Sequence, residues 1–482
     1  MQQLSDSEGI VESFEGPREA CGLFGAFGVP DAASVIYRGL FALQHRGQES
    51  AGLVVSDGER VRSRKGMGLL TEVFPKAEFQ DLPGSTGIGH VRYSTTGSSK
   101  PQNIQPLIAE CADGIWAIAH NGNLVNAQAL RRAYQEAGAI FQTSTDSEVL
   151  VHLLADPMFR TRPRRVERAL SELRGAYSFL LMTRDSVLAA RDPYGFRPLS
   201  IGRLGDGLVF ASETCALDQV GAEFVRDILP GELVTLDARG LRSGTFCEPV
   251  SGSLGQCIFE QIYFARPDSV LFGQGVHETR TRLGRRLAEE APVEADIVIP
   301  IPDSGNCAAL GFSQASGIPL DYGYIRNHYI GRTFIMPESG RRGEGVEMKL
   351  SLVDSVVRGK RVVVVDDSIV RGTTAHRRVV GLREAGAREV HLRISCPPIR
   401  HPCHFGVDFP TREELIATTR DAAEIARFVE ADSLSYLSIE GLLSCVDRPD
   451  TYCTGCFSGR YPMPMEAPPG KLELEGISPL QR

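Results

Sequence analysis

The stretch "KRVVVVDDSIVRGTTAHRR", residues 360–378, constrains the fold more than any other part of the chain. Four consecutive valines leave no polar face, so this run reads as a strand covered on both sides, as in a parallel sheet between helices. Two acids end the run, a Gly-Thr-Thr turn follows, and the next residues take up helical spacing. From about residue 275 the same alternation of helix, buried strand and glycine turn recurs in "ETRTRLGRRLAEEA", "ADIVIPIPDSG" and "AHRRVVGLREAGA". This half of the chain is expected to form an α/β domain with a parallel sheet.

The end of the valine strand is also a candidate binding site, because ligands of open α/β sheets bind beyond the carboxyl ends of the strands. Here the backbone amides around Gly372, the hydroxyls of Ser368, Thr373 and Thr374, Arg371 and the positive end of the next helix can together cradle an anion. Asp366 and Asp367 cannot hold phosphate directly, since like charges repel; they suit a ribose hydroxyl pair or a Mg²⁺ ion. A plain capped turn would use the same residue types. In "IPDSGN", residues 301–306, a second small-residue turn follows a buried strand. Ser304 and Gly305 there suit pyrophosphate, with Ser304 also able to reach a metal. "YIRNHYIGRTFIMP" adds Arg326, His328 and Arg332 in what reads as a loop that closes over an anionic ligand.

The first half has another texture. Up to about residue 235, glycine-bounded β-rich runs such as "GIGHVRYSTTG", "IWAIAHNGNLVN" and "AYSFLLMTRDSVLAAR" alternate with a few helical patterns such as "DSEVLVHLLAD". A layered α+β domain is expected. At 482 residues the chain exceeds one ordinary core. The division expected is a leader over 1–20, a first domain over 21–235, a linker over 236–274, a second domain over 275–462 and a tail over 463–482.

Four polar groups stand out in the first half. Cys21 opens the glycine-spaced run "CGLFGAFG", Arg92 lies in "GHVRYSTTG", Asn121 precedes Gly122, and Asp146 sits at the start of a helical pattern. A buried guanidinium suits a carboxylate as its bidentate partner. An Asn amide beside a glycine N–H can bind an oxyanion. Asp146 alone reads as a first-turn acid.

The 11 cysteines are an odd number, and residues 1–20 lack the basic start and apolar core of a secretory signal, so reduced thiols in a cytoplasm are expected. A net charge of -8 gives no support for nucleic-acid binding, and no apolar run approaches the roughly 20 residues of a membrane span. Cys453 and Cys456 in "CTGC" have the chelating spacing of zinc and iron–sulfur sites alike. Cys403 is flanked by His401 and His404, which are alternative ligands. Cys111, Cys215, Cys247, Cys307, Cys396 and Cys445 read as small buried hydrophobes.

Four apolar residues, two acids and a Gly-Thr-Thr loop resemble the 5-phosphoribosyl-1-pyrophosphate (PRPP) motif of type I phosphoribosyltransferases. The order "CGLFG … LQHRGQES … GHVRYSTTG … HNGNL … TSTDSE" resembles the glutaminase domain of class II, N-terminal-nucleophile amidotransferases. That resemblance implies an αββα sandwich in which Cys21 attacks the side-chain amide of glutamine. Arg92 would hold the glutamine carboxylate, Asp146 its ammonium, Asn121 and Gly122 the oxyanion, and Arg46 would help fix the cysteine loop.

Both halves in this order, with "CIFEQIYFARPDS" at 257–269 between them, resemble the glutamine PRPP amidotransferases from Cys21 to about Pro462. The implied reaction converts glutamine, PRPP and water into 5-phosphoribosylamine, glutamate and pyrophosphate, committing PRPP to purine synthesis. Mg²⁺ held by Ser304, Asp366 and Asp367, inhibition by purine nucleotides and a homotetramer are implied with it. The branch that carries a cleaved leader also binds a 4Fe-4S cluster, through the positions matching Cys257, Cys403, Cys453 and Cys456. Two rivals need fewer of these features. A silent PRPP-sensing regulator has no use for Cys21, Arg92, Asn121 and Asp146, and a sugar-phosphate aminotransferase has none for "DDS…GTT".

An internal cysteine has an amide nitrogen, which is no base, whereas a free α-amine with a pKa of about 7.7–8.0 accepts a thiol proton near neutrality. Mass spectrometry of the mature protein should therefore find Cys21 as its first residue. A chain that retains Met1 should not hydrolyse glutamine.

Overall fold

The computed structural model describes residues 21–93, 99–249, 254–327, 350–409, 411–464 and 474. Its contacts divide the chain into two compact units. One takes Arg18–Thr279 with His401–Pro410 and Val446–Arg482, the other Arg280–Arg400 with Thr411–Cys445. His328 and Arg332 lie outside the described residues.

The first unit is built on two antiparallel sheets. In one, the strands β1 (Gly22–Phe27), β2 (Ser50–Ser56), β3 (Val61–Met67), β4 (Thr86–Arg92), β9 (Ser200–Leu204), β10 (Gly207–Ala211) and β11 (Glu223–Asp227) lie in the order β11-β9-β10-β1-β4-β2-β3. In the other, β5 (Leu107–Cys111), β6 (Gly114–Leu124), β7 (Gly175–Met182), β8 (Val187–Arg191), β12 (Glu232–Asp237) and β13 (Gly240–Thr245) lie in the order β13-β12-β8-β7-β6-β5.

The two-residue period of a strand explains why these sheets stack. Leu23 of β1 joins Ala117 and Ala119 of β6 and Leu180 and Met182 of β7 in one core cluster between the sheets. The alternate residues Phe24 and Ala26 turn to the other face, against Ile36 and Leu40 of α1 (Ala32–Ala42). Trp116, Ile118, Phe179 and Leu181 turn likewise to Leu150 and Leu154 of α2 (Glu148–Ala155). Strands that are apolar on both faces must be covered on both, and the result is the αββα sandwich that the glutaminase resemblance implied.

The second sheet extends past residue 235: Asp237 of β12 pairs with Gly240 of β13, so residues 240–245 complete it. Gln256 and Cys257 pair in parallel with Tyr452 and Cys453, which places the late "CTGC" segment in the sandwich unit.

The second unit holds a parallel sheet of β14 (Ile297–Pro300), β15 (Arg361–Asp366), β16 (Glu389–Ile394) and β17 (Ser433–Tyr436), in that order. Val362, Val363, Val364 and Val365 of β15 are all buried, as a central strand with both faces covered requires. In chain order α3 (Val276–Glu290) comes before β14, β14 leads into α4 (Asn306–Ser316), and β15 leads into α5 (Thr373–Glu384). Among the described residues no helix is long and apolar enough to cross a membrane.

Candidate functional site

Three groupings of functional side chains emerge: one around Cys21, one in a cysteine-lined cavity, and one at the end of β15. In the first, β1 and β4 are antiparallel with Gly22 opposite Val91, and that register carries Cys21 to the position opposite Arg92. Both residues are buried. The Cys21 thiol donates to the Tyr93 carbonyl at 3.4 Å. Burial pushes this thiol up; the Tyr93 main chain and Arg92 oppose the shift, while Glu49 and Asp146 add to it. A thiol held in this way needs a nearby base to become a nucleophile.

Asn121 and Gly122 lie on β6, opposite Ser178 and Tyr177 of β7. The Asn121 side chain is fully buried, yet neither its Nδ2 nor its Oδ1 has a hydrogen-bond partner among the described residues. A buried amide left unsatisfied costs about 1–3 kcal/mol, which a ligand group can recover. Gly122 has φ +149°, and a Cβ there would stand 2.0 Å from the Ala176 carbonyl oxygen, so only glycine fits. Asp146 is anchored by the Leu124 N–H at 2.9 Å and the Ser147 hydroxyl at 3.1 Å. Burial raises its carboxyl's proton affinity, but His120, the Leu124 amide and Ser147 outweigh burial and hold the group below the usual range. It is thus an anion suited to a substrate ammonium.

Arg46, also fully buried, donates through Nε to the main-chain carbonyl of Cys21 at 3.1 Å. Its Nη1 donates to Glu213 at 2.5 Å and to Glu260 at 2.9 Å, and its Nη2 to Glu260 at 2.7 Å. Arg197 adds a 3.0 Å bond to Glu260 and a 2.9 Å bond to the Phe405 carbonyl. All four charged side chains have zero exposure. Sequence reasoning singled out Arg46 but missed Glu213, Glu260, Arg197 and His120. The available signal was an acid at the end of the apolar run "LVFASE" and another inside "CIFEQIYF".

Cys257, Cys403, Cys453 and Cys456 line one cavity of about 350 Å³ of non-atom space, together with Phe196, Phe259, Phe405 and other apolar side chains. Neither His401 nor His404 belongs to its lining. Burial pushes the Cys257, Cys403 and Cys453 thiols up, and the cysteines also act on one another electrostatically. No three His, Cys, Asp or Glu side chains among the described residues form a site for a single metal ion.

At the end of β15, Asp366 and Asp367 are buried. Arg378 of α5 donates to Asp366 at 2.6 Å, the Asp367 amide donates to Asp366 at 3.0 Å, and the Ser368 hydroxyl bonds to Asp367. Burial raises the proton affinity of Asp366, which Arg378 opposes and Asp367 reinforces. Ser304 and Gly305 stand beside this strand end: a Cβ on Gly305 would lie 2.5 Å from the Val365 carbonyl oxygen. Thr373 and Thr374 open α5 directly after Gly372. Arg371 is bound to Glu414 at 2.8 Å, and Arg326 to Asp303. Two of the cations expected to face an anion therefore meet carboxylates within their own unit.

Glu213 sets an acid-side limit on stability. Burial alone would raise its proton affinity, but His45 and Arg46 prevail and hold it well below the usual carboxylate range. Its stabilising contribution is then complete above the unfolded value, roughly pH 4.3, and is lost as pH falls toward the folded value. Glu213→Gln should cost about 3–5 kcal/mol at neutral pH, since it strands a buried guanidinium. It should also give a shallower fall in melting temperature between about pH 6 and about pH 3, measured by calorimetry.

Residues 90–219 match the family model described as a glutamine amidotransferase domain. An amidophosphoribosyltransferase of Bacillus subtilis is 50% identical over 459 residues, covering 94% of this chain and 96% of that protein. One of Methanocaldococcus jannaschii is 48% identical, covering 92% and 97%. The solved structure of the B. subtilis glutamine PRPP amidotransferase, complexed with ADP and GMP, superposes with a TM-score of 0.85 at 48% identity, over 92% of this chain and 98% of that one. Matched along nearly its whole length by these relatives, the chain belongs to the amidophosphoribosyltransferase family.

Proposed function

We propose that this chain converts glutamine, PRPP and water into 5-phosphoribosylamine, glutamate and pyrophosphate, the first committed step of purine synthesis, using the residues described above. The observation that carries the residue assignment is the buried, unpartnered amide of Asn121, on the strand whose Leu124 anchors Asp146. A silent PRPP-sensing regulator has no use for such a site, and the relatives named above give it no support.

The α-amine of a mature Cys21 takes the thiol proton, and the thiolate attacks the glutamine amide carbon. Arg92 binds the substrate carboxylate and Asp146 its ammonium, so that only a free amino acid with a side-chain amide fits both. The Asn121 amide and the Gly122 N–H hold the oxyanion, a contribution of about 10²–10³ in rate for a donor of this kind. Ammonia leaves, a glutamyl thioester remains on Cys21, and water releases glutamate. The ammonia must reach ribose C1 unprotonated, which requires its path to exclude bulk water.

At the second site Ser304, Gly305, Ser368, Arg371, Gly372, Thr373 and Thr374 bind PRPP, with Arg332 closing over it. Asp366 and Asp367 fit a cation-bridged ribose pyrophosphate, being paired acids at a strand end with a hydroxyl turn opposite. Mg²⁺ bound with PRPP would offset the leaving charge of pyrophosphate. The protein's own part there is to position and neutralise.

The cysteine cavity is proposed to hold a 4Fe-4S cluster rather than zinc, because it brings the thiols of Cys257, Cys403, Cys453 and Cys456 together among apolar side chains and its lining includes neither His401 nor His404. When bound, the cluster would cross-link Cys257, Cys403, Cys453 and Cys456 through iron–thiolate bonds. Removal of residues 1–20, a cytoplasmic location, a homotetramer and inhibition by purine nucleotides complete the proposal; the last is supported by the ADP and GMP bound to the B. subtilis relative.

Cys21→Ala should abolish glutamine-dependent activity and retain activity with free ammonia; equal loss of both would refute the division of labour. Asp366→Asn with Asp367→Asn should remove both activities, and an unchanged ammonia-dependent rate would overturn their assignment. Anaerobically purified protein should be coloured, with about four irons and four acid-labile sulfides per chain. A colourless zinc protein would overturn the cluster and leave the reaction intact.

A further inference from the structure

We infer that Glu260 and Arg197 are positioning residues of the glutaminase: they fix the Arg46 guanidinium, and Arg46 fixes the main-chain carbonyl of Cys21. This inference rests on the reading of Cys21 as the nucleophile. It concerns residues to which no role in glutamine hydrolysis has so far been given.

A guanidinium is a rigid planar fork, so pinning both Nη atoms also fixes the direction of Nε–H. Glu260 holds both: Oε2 accepts from Arg46 Nη1 at 2.9 Å, and Oε1 from Nη2 at 2.7 Å. The third nitrogen, Nε, donates to the Cys21 carbonyl at 3.1 Å. A mature N-terminal residue is tethered to the chain on one side only. The plane of its single peptide group therefore decides where its amine and thiol lie, and Arg46 grips that plane at its oxygen.

Glu260 in turn is held by Arg197. Arg197 Nη1 donates to the same Oε1 at 3.0 Å, while Nη2 is anchored on the Phe405 carbonyl at 2.9 Å. The Phe264 ring lies 5.8 Å from the Arg197 guanidinium carbon. Glu260 opens a π-helical turn, Glu260–Phe264, a local distortion often found at functional sites. Such a turn aims the carboxylate inward from a segment whose Phe259, Ile262 and Phe264 are all buried. Glu213 is the fourth member and also accepts from Arg46 Nη1, at 2.5 Å. Two guanidiniums thus face two carboxylates, and the enclosed charge is balanced.

That balance dictates the test. Glu260→Asp keeps the charge and withdraws the carboxylate by one methylene; the double variant Arg197→Gln with Glu260→Gln removes one charge of each sign. Both should lower the glutamine-dependent kcat by about tenfold to a hundredfold, the cost expected of a misplacement near 1 Å. The glutamine KM should change by less than about twofold, because Arg92 and Asp146 are untouched. Activity with ammonia should stay at the wild-type level, and the pH profile of Cys21 alkylation by iodoacetamide should shift, since the amine no longer faces the thiol as before. A purely structural role would lower both activities together without moving that profile, and this result would overturn the inference. So would wild-type glutamine kcat in both variants. If Cys21→Ala itself retained glutamine use, the nucleophile reading would have failed; if it did not, an unaltered kcat in the Glu260 variants would refute the positioning role alone.

Discussion

Four charged side chains with no exposure, Arg46, Arg197, Glu213 and Glu260, form the interaction on which the sandwich unit turns. Taking an ion out of water costs several kcal/mol even after relaxation, so such a group persists only if the geometry compensates every charge. Here it does: Arg46 uses all three nitrogens, and Glu213 also receives the Arg266 amide at 2.9 Å and the Ser269 hydroxyl at 2.7 Å. Buried ion clusters are poor sources of net stability, because apolar replacements often do as well. Their effect is to specify position. This one fixes the start of β1, the turn after β10 that carries Glu213 and the segment around residue 260 relative to one another, all three within one unit.

The sandwich was legible because its strands are apolar on alternate residues toward two different partners. Leu23 and Phe24 point to opposite cores, as do Ile118 and Ala119, and a chain with that pattern can be satisfied only by layers on both sides. The valine run of β15 was legible for the same reason. The ion cluster was not. Arg46 lies 167 residues from Glu213 and 214 from Glu260, and in sequence an acid that ends a strand looks the same whether it meets solvent or a guanidinium. The parallel pairing of Cys257 with Cys453 is of the same kind: spacing suggested the "CTGC" chelate, but only the fold joins it to a segment almost 200 residues earlier.

The two candidate sites prepare for their ligands in opposite ways, and the chemistry of each ligand accounts for this. A glutamine amide brings an oxygen that becomes anionic only during reaction, so a neutral donor left unsatisfied, the Asn121 amide, is an efficient preparation. Its desolvation has already been incurred on folding, and under the proposed assignment an oxyanion would recover it in the transition state, where recovery accelerates the reaction. PRPP is charged from the outset. Asp366 and Asp367 lie side by side at a buried strand end, where burial and the neighbouring acid raise the proton affinity of Asp366 and the Arg378 guanidinium offsets them only in part. A cation brought with the pyrophosphate would compete with Arg378 for Asp366. α5 carries both Arg378 and the Thr373–Thr374 turn, so it is the element through which such a competition would be felt.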